Sequence, residues 1–295
     1  MQRATVFLIT SGLLLGTAGA ALADGDEGAP AAPAGDGSAA PATAPAGGAE
    51  AGGGGKLDAY IERPGVLGNH ELAIYGDFDV ANISITDPTT GASASSTAEG
   101  LQLGAAYGVS DKLTAGIDYS FTLHPGEIKG PLRLYGSFSA VHTDKLTAAL
   151  GGGVVIDFSD PTTETIFLGA LARYNIMPKL AIFTGTPTSA PGPSGQHLQI
   201  GLNSGAPITL DIPVGVGLQA TPQLWAYVDT TVAHISISNS ANAFLFSDFI
   251  PLEVGGLFAV SKQLDVGAHL QFFDLKGSAS DLAFGVSAVY YMAGK

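Results

Sequence analysis

The chain has 295 residues, a formal charge of −14 and no cysteine. Only 13% of its residues are charged, against roughly 25% in soluble globular domains, while 46% are hydrophobic and 41 are glycine. The acidity leaves no basic patch to neutralise phosphates, which excludes nucleic acid as a partner, and so little charge leaves a thin solvating surface for a water-facing protein.

Residues 1–23 read as a secretory signal. Arg3 supplies the positive end, residues 6–15 form an apolar core, and Ala21-Leu22-Ala23 is a small-x-small cleavage site ahead of Asp24. The apolar run is too short for a membrane-crossing helix, which needs about 20 residues. No cysteine follows the site, so no lipoprotein anchor is expected. Residues 24–56 are Ala, Pro and Gly with scattered acids, nearly devoid of aromatic and β-branched residues, and are expected to be a disordered linker. Residues 57–70 form a lead-in containing Tyr60, Arg63 and Pro64.

From Glu71 onward apolar and polar residues alternate with period two. Leu72, Ile74, Gly76, Phe78 and Val80 fall on one side, and Ala73, Tyr75, Asp77 and Asp79 on the other. A polar loop at 86–97 follows. Further strands are expected at about 99–109, 112–123, 131–141, 145–158, 165–174, 179–184, 208–219, 223–236, 249–260, 263–275 and 281–292. The strand at 179–184 is short, a proline-containing loop occupies 185–196, and 197–203 reads as an extension of that loop into strand. Residues 239–247 read as loop, and no stretch shows helical periodicity.

A seven-residue pattern punctuates the strands. It reads YGVSDKL, AVHTDKL, YNIMPKL, LQATPQL and FAVSKQL, starting at positions 107, 140, 174, 218 and 258, hence at spacings of 33, 34, 44 and 40. Each copy ends on a leucine preceded by turn-forming residues, so each is a tight β-hairpin turn. Two strands per turn, with one strand before and one after, predict twelve: an all-β, antiparallel, up-and-down transmembrane barrel over residues 71–295. Short turns then gather at one end and longer loops at the other.

Parity assigns the faces. With the repeat leucines outward, Leu103, Ile117, Leu134, Leu150, Val216, Val254 and Phe284 share the outer side with many like them. The inner side carries Asp118, Arg133, Asp157, Arg173, Asp211, Asp229, Glu253, Asp265 and His269 among Gly, Ser, Thr and Gln. A water-soluble barrel would show the same alternation with the faces exchanged. A bulky outer set that turns aromatic at its ends, and a small, nearly Lys-free inner set, favour lipid outside. Acids outnumber arginines in this lumen, with Asp77 and Asp79 added, which favours cations or neutral polar solutes as permeants. Pairing of those acids with Arg133, Arg173 and hydroxyls would instead plug it.

The run RPGVLGNHELAIYGDFDV and the motif LGAAYGVSDKLTAGIDY resemble bacterial outer-membrane, porin-like β-barrel proteins across about residues 63–295. The resemblance implies a bacterial outer-membrane location with the N-terminal tail periplasmic. It further implies outer-membrane lipids and the insertion machinery as partners, small solutes as permeants, no cofactor and no enzymatic activity. Such proteins often end on an aromatic residue; here Tyr290-Tyr291 is followed by four more residues. A non-conducting structural barrel is the alternative. A minor one is an enzyme similar to outer-membrane phospholipase A, which carries a His-x-Ser dyad on its lipid-facing side. His234 and Ser236 share a parity, but Ile237-Ser238-Asn239 replaces the Asn-Gly-Arg that follows the family's serine. The remaining histidines (His70, His124, His142 and His197) show no metal-ligand spacing, and no metal or catalytic residue is assigned. Gly151-Gly152-Gly153 lies within a strand and marks a bend or a close strand approach, not a phosphate cradle.

Overall fold

The computed structural model describes residues 59–86, 93–124, 130–158, 162–185, 197–202, 208–237, 245–246, 250–275 and 281–293. The expected signal and linker lie outside them. The strands are β1 (Leu72–Thr86), β2 (Ser93–Ser110), β3 (Leu113–His124), β4 (Pro131–His142), β5 (Leu146–Asp157), β6 (Thr163–Met177), β7 (Leu180–Thr184), β8 (Leu198–Gly201), β9 (Ile208–Gln219), β10 (Leu224–Ile237), β11 (Leu245–Phe246), β12 (Leu252–Ala259), β13 (Leu264–Phe272) and β14 (Leu282–Met292). Every pairing is antiparallel, and β14 returns to β1 from Leu72↔Met292 to Asn82↔Leu282, which closes the sheet. The result is a closed, 12-stranded barrel: β7 and β8 share one position between β6 and β9, and β11 extends the β10–β12 hairpin.

Alternation drives the closure. Ile74, Leu103, Ile117, Leu150 (60% exposed), Leu168, Val232 and Phe284 stand on the outer surface, whereas Thr114, Asp118, Ser137, Asp265 and Gln271 are buried inside. This is the inverse of a water-soluble barrel, and it matches the parity expected from the sequence. Closure also pairs the first strand with the last, so neither is left as a free edge of the kind a span through hydrocarbon forbids.

Inside, large rings lie across glycines of the next strand. A Cβ on Gly104 would sit 2.3 Å from the Tyr75 ring, and one on Gly116 would sit 2.2 Å from Tyr135. The triple glycine works differently: a Cβ on Gly153 would meet the Leu134 carbonyl oxygen at 2.0 Å, so the approach there is backbone to backbone.

The seven-residue repeat has two physical functions. Its fourth residue caps the turn. Thr143 Oγ1 accepts from the Leu146 N–H at 3.0 Å, Thr221 Oγ1 from Leu224 at 3.0 Å, Ser261 Oγ from Leu264 at 3.1 Å, and Ser110 Oγ from Lys112 at 3.3 Å. The hydroxyl thereby satisfies a turn N–H that has no ladder partner. The copy with Met177-Pro178 lacks this cap; its bulge between Asn175 and Met177 has counterparts at two capped copies, between Gly108 and Ser110 and between Ser139 and Val141.

The two ends of the repeat build a belt. The closing leucine of one copy is the register partner of the opening residue of the next in Leu146↔Tyr174, Leu180↔Leu218 and Leu224↔Phe258, while Leu113 pairs with Phe138, two residues before the second copy opens. Leu72↔Tyr107 and Leu264↔Tyr290 complete the ring. A band of leucine–aromatic pairs, interrupted by Leu180↔Leu218, thus surrounds the short-turn end on the outer surface, where an interfacial girdle belongs.

Four expectations need correction. Within the 86–97 loop the described residues, 86 and 93–97, are strand, because β1 and β2 stay in register out to Thr86↔Ser93. Residues 245–246 within the 239–247 loop pair with Ile235 and Ser236. The lead-in contains a 3-10 turn at Tyr60–Glu62. Finally, the short strand at 179–184 is half of a split one. Pro213 on β9 has no N–H to offer at that level, and β10 bulges opposite it between Thr231 and Ala233. The chain leaves the wall after Thr184 through Gly185, whose φ of 83° is easy only for glycine, and rejoins it at Leu198. His197 spans the gap, its ring nitrogens 2.7 Å from the Ala170 carbonyl on β6 and 3.2 Å from that of Asp211 on β9.

Replacing Ser261 with Ala removes two hydrogen bonds to turn N–H groups. It is expected to lower barrel stability by about 1 kcal/mol with the fold unchanged, as read by urea unfolding in detergent micelles.

Candidate functional site: an acidic lumen closed at one end

The lead-in does not lie outside the barrel. Residues 59–70 fold into the lumen at the short-turn end, with Ile61, Val66 and Leu67 buried. Their bonds reach the wall on many strands. Leu67 N–H donates to Thr114 Oγ1 on β3 at 2.8 Å, and Ile61 N–H to Gln219 Oε1 on β9 at 3.0 Å. Asn175 on β6 donates to the Ile61 carbonyl, and Tyr60 stacks on Trp225 of β10 with centroids 5.1 Å apart. Gly65 packs against Ala149 of β5. The segment leaves past Gly108, where a Cβ would strike the Gly68 carbonyl, and turns at His70, whose φ is 61°.

Arg63 anchors it. Its guanidinium forms a two-pronged ion pair with Asp265 on β13, at 2.5 and 3.3 Å, and Asp265 is only 1% exposed. Arg173 donates to the Arg63 carbonyl at 2.6 Å, and both guanidiniums lie over the Tyr60 ring. Burial raises the Tyr60 hydroxyl pKa, the two arginines opposing that shift, and burial lowers that of Arg63. Sequence reasoning assigned Asp265 and Arg173 to the lumen but missed the cation between them. The available signal was the reappearance of Tyr, Ile, Arg, Val and Leu at 60–67 after a stretch with almost none.

Deeper in the lumen the charges divide into two walls. On the β1–β4 side Asp118 is saturated: it accepts from Arg133 Nε at 2.7 Å, Gln102 Nε2 at 2.8 Å and the Tyr75 hydroxyl at 3.0 Å. Tyr75 and Tyr135 meet hydroxyl to hydroxyl at 3.0 Å. Asp118 and Arg133 are direct register partners, so adjacent strands bring them together.

On the β10–β14–β1 side stand Asp229, Glu253, His269, Asp77 and Asp79. Asp229 and Glu253 are register partners, Tyr227 donates to Glu253 Oε1 at 2.8 Å, and His269 Nε2 lies 3.1 Å from Asp79 Oδ1. Among the described residues, the ion pair on this wall is the one between His269 and Asp79; Arg63 and Arg133 are paired elsewhere and Arg173 serves the lead-in. The lumen is therefore neutralised on one side and acidic on the other.

Two expected residues stand apart. Asp157 is buried at the far end of β5, opposite Pro131. Asp211 pairs with His234 Nδ1 at 2.5 Å near the long-loop end. The β10 bulge places His234 opposite Asp211, and Ser236 opposite the buried Thr209, on the lumen side. The likeness to a lipid-facing His-x-Ser dyad therefore fails: the extra residue reverses the parity of everything beyond it.

No family model and no curated protein matches this sequence. Solved structures do. The chain is similar to a KdgM porin (6% identity, TM-score 0.44, covering 73% of this chain and 98% of that one) and to a NanC porin (9%, 0.43, 74% and 98%). It is also similar to an outer-membrane channel from Pseudomonas putida F1 (10%, 0.48, 79% and 98%). The fold itself is a closed, 12-stranded antiparallel β-barrel with an apolar outer surface.

Arg63→Ala strands the buried Asp265 carboxylate and frees the lead-in. It is expected to cost about 3 kcal/mol in urea unfolding and to hasten proteolysis at 59–70, with much of the loss recovered when Asp265→Asn is added.

Proposed function

We propose that this protein is a non-enzymatic outer-membrane diffusion barrel for small cationic or neutral polar solutes, kept narrow at its periplasmic end by residues 59–70. In this reading residues 1–23 are a signal, 24–56 a periplasmic spacer, and the insertion machinery delivers the chain to outer-membrane lipid. One observation carries it: Asp77, Asp79, Asp229 and Glu253 share a lumen wall with His269, while the arginines are engaged elsewhere. Carboxylates lining a narrow passage draw cations and repel anions. The porin likeness supplies the barrel and no solute.

The second reading, a non-conducting structural barrel, draws on the lead-in itself, whose buried anchors occupy the lumen at the short-turn end.

Planar-bilayer recording separates the two. The full chain is expected to give small, cation-selective currents in a salt gradient. Deleting 57–70 should raise the conductance severalfold, and Asp229→Asn with Glu253→Gln should move the reversal potential toward zero. Anion selectivity would refute the acidic-passage reading, and silence after the deletion would leave the structural one.

A further inference from the structure

The acidic wall contains a finer arrangement than a generally negative surface. Asp77 and Asp79 project inward from β1 and His269 from β13, and β14 between them contributes Gly285 at the level where they meet. A Cβ on Gly285 would lie 2.2 Å from both Asp79 Oδ1 and the His269 ring. The missing side chain is what lets the carboxylate and the imidazole approach. Asp77, Asp79 and His269 each present one donor atom, all within 4.8 Å of one another.

These donors are under-used. Asp77 Oδ1 and Asp79 Oδ1 are sealed from solvent and accept no well-formed hydrogen bond, although His269 Nε2 stands 3.1 Å from the latter. A second, separate group points the same way. Asp229, 8% exposed and on a different strand, has a buried Oδ2 with no hydrogen-bond donor, and it interacts electrostatically with His269 and Glu253. Glu253 is 6% exposed and has the Tyr227 hydroxyl on one oxygen. A buried carboxylate oxygen without a donor is costly, and here several converge around one imidazole. The other groups facing the cluster are the neutral Gln271, opposite Glu253, and Ser287, opposite Asp77.

We infer that Asp77, Asp79 and His269 form a binding site for one divalent transition-metal ion of the Zn2+ or Mn2+ class, with Asp229 and Glu253 supplying further negative charge around it. Two carboxylates with one imidazole suit such an ion better than Mg2+ or Ca2+, which prefer oxygen alone. Ligand atoms on one such ion lie about 2.0–2.2 Å from it, so donors already within reach of each other need only small side-chain rotations to close on it. The site requires the folded barrel and not solute passage, so it can fail while the permeation reading stands, and the reverse.

The test uses the full-length barrel, folded in detergent, stripped with chelator and dialysed against micromolar Zn2+ or Mn2+ alone. The expected result is one tightly held ion per barrel by elemental analysis and a urea midpoint raised by that metal. Asp79→Asn and His269→Gln should each weaken binding by about tenfold or more, while Asp211→Asn and His234→Gln, at the other lumen Asp–His pair, should leave it unchanged. Circular dichroism identifies variants that fold. Should a cluster variant fail to fold, the wild-type stoichiometry and urea shift still decide. Folded wild-type protein that holds no metal and shows no shift overturns the site, as does equal binding by folded His269→Gln and wild type.

Discussion

A chain that crosses hydrocarbon must pair all its backbone N–H and C=O groups within itself, and a β-sheet can do so only by closing. The β1–β14 ladder is therefore the condition on which the rest depends. It brings the first and last strands together at the short-turn end, so the lead-in enters the lumen beside the closing seam. It also sorts side chains without further instruction: one parity meets lipid, and the other is enclosed with its charges.

Enclosure makes the charges consequential. In the lumen a carboxylate needs a hydrogen-bond donor or a counter-charge, and the barrel answers differently on its two sides. Asp118 is covered by Arg133, Gln102 and Tyr75. Asp265 is met by an arginine from outside the sheet altogether. The wall of Asp77, Asp79, Glu253 and Asp229 has a single imidazole, and this asymmetry gives the interior its electrostatic character.

Much of this was legible. Period-two alternation identified which residues face lipid, and the seven-residue repeat identified the turns, because both depend on local chemistry. What was hidden depends on partners far away in sequence. The pairing of Asp118 with Arg133 requires the strand register, which the intervening loop does not reveal. His234 was misread because one extra residue at the β10 bulge reverses parity, and nothing in Thr230-Thr231-Val232-Ala233 announces a bulge. The split of the seventh strand was visible as a short apolar run, but its cause, Pro213, lies on the neighbouring strand. The lead-in was missed as a lumen element because its contacts are scattered across the barrel from β3 to β13.

The split strand also gives the wall a mechanical inhomogeneity. On that side of β6, registered pairing stops at Leu168 and resumes at Ala172. The stretch between them is bridged by the tip of one imidazole instead of a backbone ladder. A side-chain strut yields to bending more readily than paired strands do. Deformation of the cylinder, under lateral pressure or during amide exchange, should concentrate along this line, leaving the opposite side stiff.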